Sequence, residues 1–235
     1  MGFSRIKPDS AYLGLPLFRT GKDKDFYFLI DRLDAKLARW KAKILSKAKK
    51  LVLIKYVAFT LPTYVMQTMR LLATICSKLD ARIRSFWWSS SSESRKLLCL
   101  KAWDSLCKPK SCGGLGFRKM DEFNRAILAR WGWNIFTNAN SLCLSVLRPR
   151  YIQYDRFLDI LKKVGDLLFW KDILDIRNLL VDGACYVMGN GDSIDPYKDP
   201  WVPNVVKFRP TPIAEPNEGC NRVKDFIFYP GKWDV

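Results

Sequence analysis

Histidine is absent from all 235 residues, which excludes Ser-His-Asp and Cys-His nucleophile pairs, HExxH zinc sites and histidine pH switches. Cysteine is present but unorganised. Seven stand at positions 76, 99, 107, 112, 143, 185 and 220 with no CxxC pair. They read as buried small apolar residues of a reducing, intracellular compartment, nucleus or cytoplasm unresolved, rather than as a disulfide frame or zinc knuckle. Long apolar runs are lacking as well. Nothing approaches the roughly 18 residues of a membrane-spanning helix, and Pro8 and Asp9 interrupt any apolar core of a signal peptide. No membrane partner is expected. Acidic residues are scarce in one half only: residues 1–118 hold 24 Lys/Arg against 8 Asp/Glu, whereas residues 119–235 hold 16 against 15. Nearly all of the formal +17 charge, +16 of it, therefore lies in residues 1–118, as when one surface faces a polyanion.

What is present suits a soluble fold. Hydrophobic residues make up 49% and charged residues 27%, close enough to ordinary domains to argue against disorder. Phe26, Leu29, Leu33, Leu37, Trp40 and Ile44 recur at intervals of three or four, which is the apolar stripe of a helix. Arg32, Lys36, Arg39 and Lys43 recur beside it, forming a basic ridge about 100° round the same helix. Ser46 is a plausible N-cap for a second helix carrying Leu51, Ile54, Val57 and Ala58 inward and stopping or kinking before Pro62. Lys47, Lys49 and Lys50 crowd its first turns, where cations oppose the helix dipole; that cost points to an external anion, with a solvated face as the bland alternative. A third helix runs from Ile75 to Trp88 with Ile75, Leu79, Ile83 and Phe86 on one side, and a Ser89–Ser92 linker follows. Further helices are predicted at 121–136, 141–147 and 167–181, and Pro196, Pro200, Pro203, Pro210, Pro212 and Pro216 make the tail short strands and loops.

Three candidate features carry chemistry. Gly113-Gly114-Leu115-Gly116 fits neither GxxxxGK[ST] nor GxGxxG, so a tight turn is the better reading. Asp192, Asp195 and Asp199 are the densest acidic group; a metal-dependent nuclease would need such a set, but closely spaced aspartates among Pro and Gly are usually turn residues. Trp40, Tyr56, Tyr64, Trp87, Trp88 and Trp103 lie among the cations and could stack on bases. Trp40 falls on the apolar stripe and is expected in the core, while one of Trp87 and Trp88 should face outward.

In order along residues 12–203, several blocks resemble the region after the catalytic palm in reverse transcriptases of plant non-LTR (LINE-type) retrotransposons. They are Tyr12-Leu13-Gly14-Leu15-Pro16-Leu17, Trp40-Lys41, Leu61-Pro62-Thr63-Tyr64, Arg84-Ser85-Phe86-Trp87-Trp88, Gly113-Gly114-Leu115-Gly116-Phe117-Arg118, Asn124-Arg125-Ala126-Ile127-Leu128-Ala129, Trp170-Lys171-Asp172-Ile173 and Asp199-Pro200-Trp201. The resemblance implies that Tyr12, Leu13 and Gly14 form a primer-grip-like turn and that residues 23–88 form a thumb over template and primer. It also implies that the family's paired catalytic aspartates lie upstream, and its zinc-binding and ribonuclease H segments downstream. The chain departs from the family pattern at Lys49-Lys50, where glycine-arginine is usual, at Leu72, usually proline, and at Ser89, usually glycine.

The expectation is a mainly α protein with four segments: a palm-edge hairpin remnant at 1–22, a thumb-like bundle with its serine linker at 23–92, a helical connector at 93–182, and a small irregular β-containing region at 183–235. Its expected capacity is sequence-independent binding of RNA or DNA through Arg32, Lys36, Arg39, Lys43, Lys47, Lys49 and Lys50, with no cofactor and no catalytic centre of its own. The alternatives are a non-binding interaction module or inert remnant, and the nuclease built on Asp192, Asp195 and Asp199.

Overall fold

A computed structural model describes residues 11–12, 15–16, 23–41, 43, 45–89, 99–152, 156–211, 221–228 and 232–233, and over these the protein is mainly α-helical. The chain forms two compact units, one of residues 1–130 with 167–172, the other of residues 131–166 with 173–235. Each is described separately.

The first unit begins with a two-residue antiparallel pair, β1 (Ala11–Tyr12) against β2 (Leu15–Pro16). Tyr12 thus lies in a hairpin, and Leu13 and Gly14 fall outside the described residues, as do Ile44 and Ser90–Ser92. A single 3-10 turn, Asp23–Phe26, leads into α1 (Tyr27–Lys41), which buries Leu29, Ile30, Leu33 and Leu37. The predicted stripe is the buried face. Ser46 caps α2 (Lys47–Leu53) by accepting from the Lys49 N–H at 3.4 Å. The rod departs from α geometry well before Pro62: Ile54–Ala58 form a π-helical turn, with the Phe59 N–H donating to the Ile54 carbonyl at 3.1 Å. The extra residue per turn sets Ile54 and both Ala58 and Phe59, four and five positions after it, into the core at 2% exposure or less. Then come α3 (Thr63–Met66), α4 (Ala73–Trp88) and α5 (Trp103–Cys107). Ile75, Leu79, Ile83 and Phe86 of α4 are at most 1% exposed. Leu106, Phe117 and Met120, which follow the serine-rich stretch, belong to the same core. Asp23 ties the start of α1 to α4, accepting from Thr74 Oγ1 at 2.7 Å and pairing with Lys78 at 3.3 Å.

The glycine segment is a structural turn. Gly116 has φ +63°, and a Cβ on Gly114 would meet the Lys108 carbonyl oxygen at 2.0 Å, so only glycine fits there. From Met120 the chain enters α6 (Met120–Phe136), whose last residues open the second unit. That unit adds α7 (Leu142–Tyr151), most of α8 (Leu168–Gly183), a run of turns, and a short antiparallel pair, β3 (Ile227–Phe228) with β4 (Lys232–Trp233). Gly132 lets α6 approach α8, since a Cβ there would come within 2.9 Å of Leu180 Cδ1. Arg177 donates to the carbonyls of Phe157 and Ile160 at 3.3 and 2.6 Å, anchoring the 156–166 loop to α8. No helix among the described residues is long and apolar enough to cross a membrane.

Candidate nucleic-acid interface

The basic ridge forms as the spacing requires. Because Leu29, Leu33 and Leu37 hold α1 against the core, Arg32, Lys36 and Arg39 fall on its exposed side, and Lys43 and Lys49 are exposed beyond it. Arg32 rests over the Phe28 ring at 5.3 Å. None of these five cations is within ion-pair distance of a carboxylate among the described residues. For Lys36, Arg39, Lys43 and Lys49 the sequence explains why: residues 35–79 contain ten Lys/Arg and no Asp or Glu.

Lys47 and Lys50 do something else, and this corrects the expectation that all seven cations wait for an external anion. Lys47 Nζ donates to the Trp87 carbonyl at 2.7 Å and lies 4.7 and 4.9 Å from the Trp87 and Trp88 ring centroids. Lys50, only 8% exposed, donates to the Ser89 carbonyl and to Ser89 Oγ and passes over Phe86. Both ammonium groups therefore sit at the C-terminus of α4, where unpaired carbonyls and the negative end of the dipole favour a cation. The cost at the start of α2 is offset inside the protein. Burial lowers the pKa of both lysines, and for Lys50 the neighbouring Lys47 and Lys41 charges add to it. Trp87 is buried and Trp88 is the more outward of the two, half-covered by Lys47.

At the end of α1 and along α2 lies an open cleft of about 480 Å³, lined by Trp40, Leu45, Ala48, Val52 and Leu53 together with Lys43 and Lys49. Trp40 is half-buried, its ring tilted against Phe86 at 5.7 Å. It belongs partly to the core, as its place on the stripe predicts, and partly to this cleft. A second group of cations escaped the sequence reading. Lys55 Nζ would touch a Cβ on Gly116 at 3.4 Å, and its pKa is lowered by burial and then by the charges of Lys110 and Arg118. The signal was the flanking of the glycine turn by Lys108-Pro109-Lys110 and Arg118.

The acidic cluster of the second unit is spent on structure. Asp199 accepts from Arg156 Nη1 at 2.9 Å and from the Asp195 N–H at 2.8 Å. Asp195 accepts from the N–H groups of Tyr197 and Lys198 at 3.1 and 3.0 Å. Burial acts to raise its pKa, but those two donors and Arg156 hold it below the usual carboxylate value. Asp192 pairs with Lys224 at 2.8 Å. Among the described residues no three His, Cys, Asp or Glu are placed to hold a metal ion. The cysteine reading also needs correction: Cys76 is buried, its thiol pushed up to about 12 by burial, but Cys99 and Cys112 are exposed. The six described cysteines are free thiols.

No known family profile and no solved structure matches the chain. Among curated proteins it is similar to the putative ribonuclease H protein At1g65750 of Arabidopsis thaliana, 31% identical in an alignment 234 residues long that covers 94% of this chain and 36% of that relative. It is also similar to the uncharacterized mitochondrial protein AtMg00310 of the same plant, 34% identical over 143 residues, covering 60% of this chain and 92% of that protein. The chain belongs to the family of AtMg00310. It spans about a third of the length of the longer relative.

In this member of the AtMg00310 family the role of Lys50 can be separated from that of Lys49. Lys50→Met keeps the stem over Phe86 but strips Ser89 of its donor, and is expected to lower stability by about 1–2 kcal/mol. Lys49→Met, on an exposed side chain, should stay within about 0.5 kcal/mol of the parent. Urea unfolding followed by tryptophan fluorescence measures both. Equal midpoints for the two variants would refute the capping role.

Proposed function

We propose that the chain is part of a retrotransposon-derived, reverse-transcriptase-like protein, and that its first unit holds the phosphate backbone of RNA or DNA without regard to sequence and without a catalytic centre of its own. The observation that carries this reading is that Arg32, Lys36, Arg39, Lys43 and Lys49 are exposed and have no ion-pair partner among the described residues, the last four of them within the acid-free stretch 35–79. Unpaired like charges repel one another, and a polyanion relieves that repulsion while releasing its counterions. The ordered blocks that resemble non-LTR reverse transcriptases support the same reading, as does the name of the longer relative, a ribonuclease H protein.

If most of the five cations meet phosphates, log affinity should fall against log salt with a slope of about −3 to −4. Reversing Lys36, Lys43 and Lys49 together to Glu should flatten that slope and weaken binding to all sequences alike, because phosphate contacts carry no base information. Reversing Lys163, Lys198 and Lys207 changes the net charge equally and should matter much less. Fluorescence anisotropy with a labelled strand measures each. Equal weakening by the two triple variants would mean that the charge acts diffusely, and no binding by the parent would favour an interaction module or inert remnant.

A further inference from the structure

The cleft beside the basic ridge has a chemistry that phosphate binding alone does not use. Its lining is mostly aromatic and aliphatic, from Trp40, Leu45, Ala48, Val52 and Leu53, and its charged members are Lys43 and Lys49. We propose that this cleft receives one unpaired nucleobase of a single strand, stacked against Trp40, while Lys43 and Lys49 hold the phosphates on either side. The proposal rests on the reading above and names what the same surface would do beyond the backbone.

Three features choose this occupant. The first is charge complementarity: an apolar group entering between two unpaired cations, in a region with no carboxylate from residue 35 to 79, is best carried on a polyanion. A neutral peptide would bring backbone N–H and C=O groups to walls that offer them almost no partner, and those groups lose free energy when buried unpaired. The second is the platform itself. The Trp40 ring is packed, tilted, against Phe86, which is 0% exposed, so a stacked base meets a ring already partly ordered, with less side-chain entropy left to lose. The third is exposure. Val52 is 53% exposed and Tyr56, one turn further along the rod, 73%, which leaves apolar surface that a strand leaving the cleft would cover. Apart from the indole N–H of Trp40, the described lining of the cleft holds no neutral donor or acceptor side chain, so it has little with which to tell one base from another. That agrees with binding indifferent to sequence, since stacking is tolerant of base identity. A duplex hides its bases, so the cleft would favour single-stranded ends.

The test compares an oligothymidine strand with an abasic strand of equal length, which carries the same phosphates. With the full chain, the thymidine strand is expected to bind roughly 5- to 100-fold more tightly, the range for one to a few kcal/mol of stacking. Ala48→Met fills the cleft without adding a ring or a charge, at an exposed, helix-tolerant position, and should reduce the preference to about two-fold or less while leaving the salt slope intact. Trp40→Leu, which removes the platform, should do the same. Equal binding of the two strands by the parent, with the salt slope retained, would overturn the base site and leave the phosphate-binding reading standing. Persistence of the full preference in both variants would place the stacking elsewhere and also overturn it. Loss of binding to either strand at any salt would end both readings together.

Discussion

Asn124→Leu is expected to lower the unfolding free energy of the first unit by about 3–5 kcal/mol, the cost of leaving several buried backbone groups dry. Asn124 is 0% exposed. Its Nδ2 donates to the carbonyls of Met66 and Met69, each at 3.0 Å, and its Oδ1 accepts from the Leu71 N–H at 2.7 Å. One side chain on α6 thus satisfies the end of α3 and the irregular stretch before α4, which cannot supply their own partners. Leucine has the same branched outline and is the larger side chain, so the loss does not report a cavity. Asn124→Asp keeps the bond from Leu71 but turns carboxylate oxygen toward two carbonyls, and should be at least as damaging. Chemical unfolding followed by tryptophan fluorescence measures the change, and a loss below about 1 kcal/mol in both variants would contradict this account.

The same residue shows where sequence reading stops. Asn124 was legible only as a member of a recurring string, because its partners are backbone atoms 53 to 58 positions earlier and nothing in residue type encodes them. The helical stripes were legible for the opposite reason: burial of Leu29, Leu33 and Leu37, or of Ile75, Leu79, Ile83 and Phe86, is written in local spacing. So was the Ser46 cap, whose partner is three residues away. Lys47 and Lys50 looked free because a charge pattern sees only its own helix, and the α4 terminus that holds them is reached 39 and 40 residues later. What remained legible of the candidate site is the part that needs no distant partner, namely the exposed cations Arg32, Lys36, Arg39, Lys43 and Lys49. The cleft was not legible, since its lining comes from two helices together, Trp40 on α1 and Ala48, Lys49, Val52 and Leu53 on α2.

Asp80 supplies the second large effect, and its sign runs against the usual carboxylate. Burial raises its pKa to about 6, outweighing the opposing pull of the Met120 N–H, which reaches both its oxygens at 3.3 Å, and of the Lys119 charge. A folded-state pKa above the unfolded value of about 3.9 means that the native protein binds this proton more tightly than the unfolded chain does. The stability contributed by Asp80 is therefore fully present below about pH 4 and is lost as the pH rises through about 6, amounting to about 2–3 kcal/mol at pH 8. Asp80→Asn keeps an acceptor for Met120 at the start of α6 and removes the charge. It should match the parent at pH 4 and exceed it by about 1–2 kcal/mol at pH 8, allowing for the solvent that still reaches the group. The difference between parent and variant must be followed across pH, because Asp23 and Asp104, whose pKa values are lowered by hydrogen bonds from Thr74 and Lys119, make the total stability fall toward acid. A constant difference from pH 4 to pH 8 would show that Asp80 stays ionised in the folded protein, and the cap on α6 would then be a charged one.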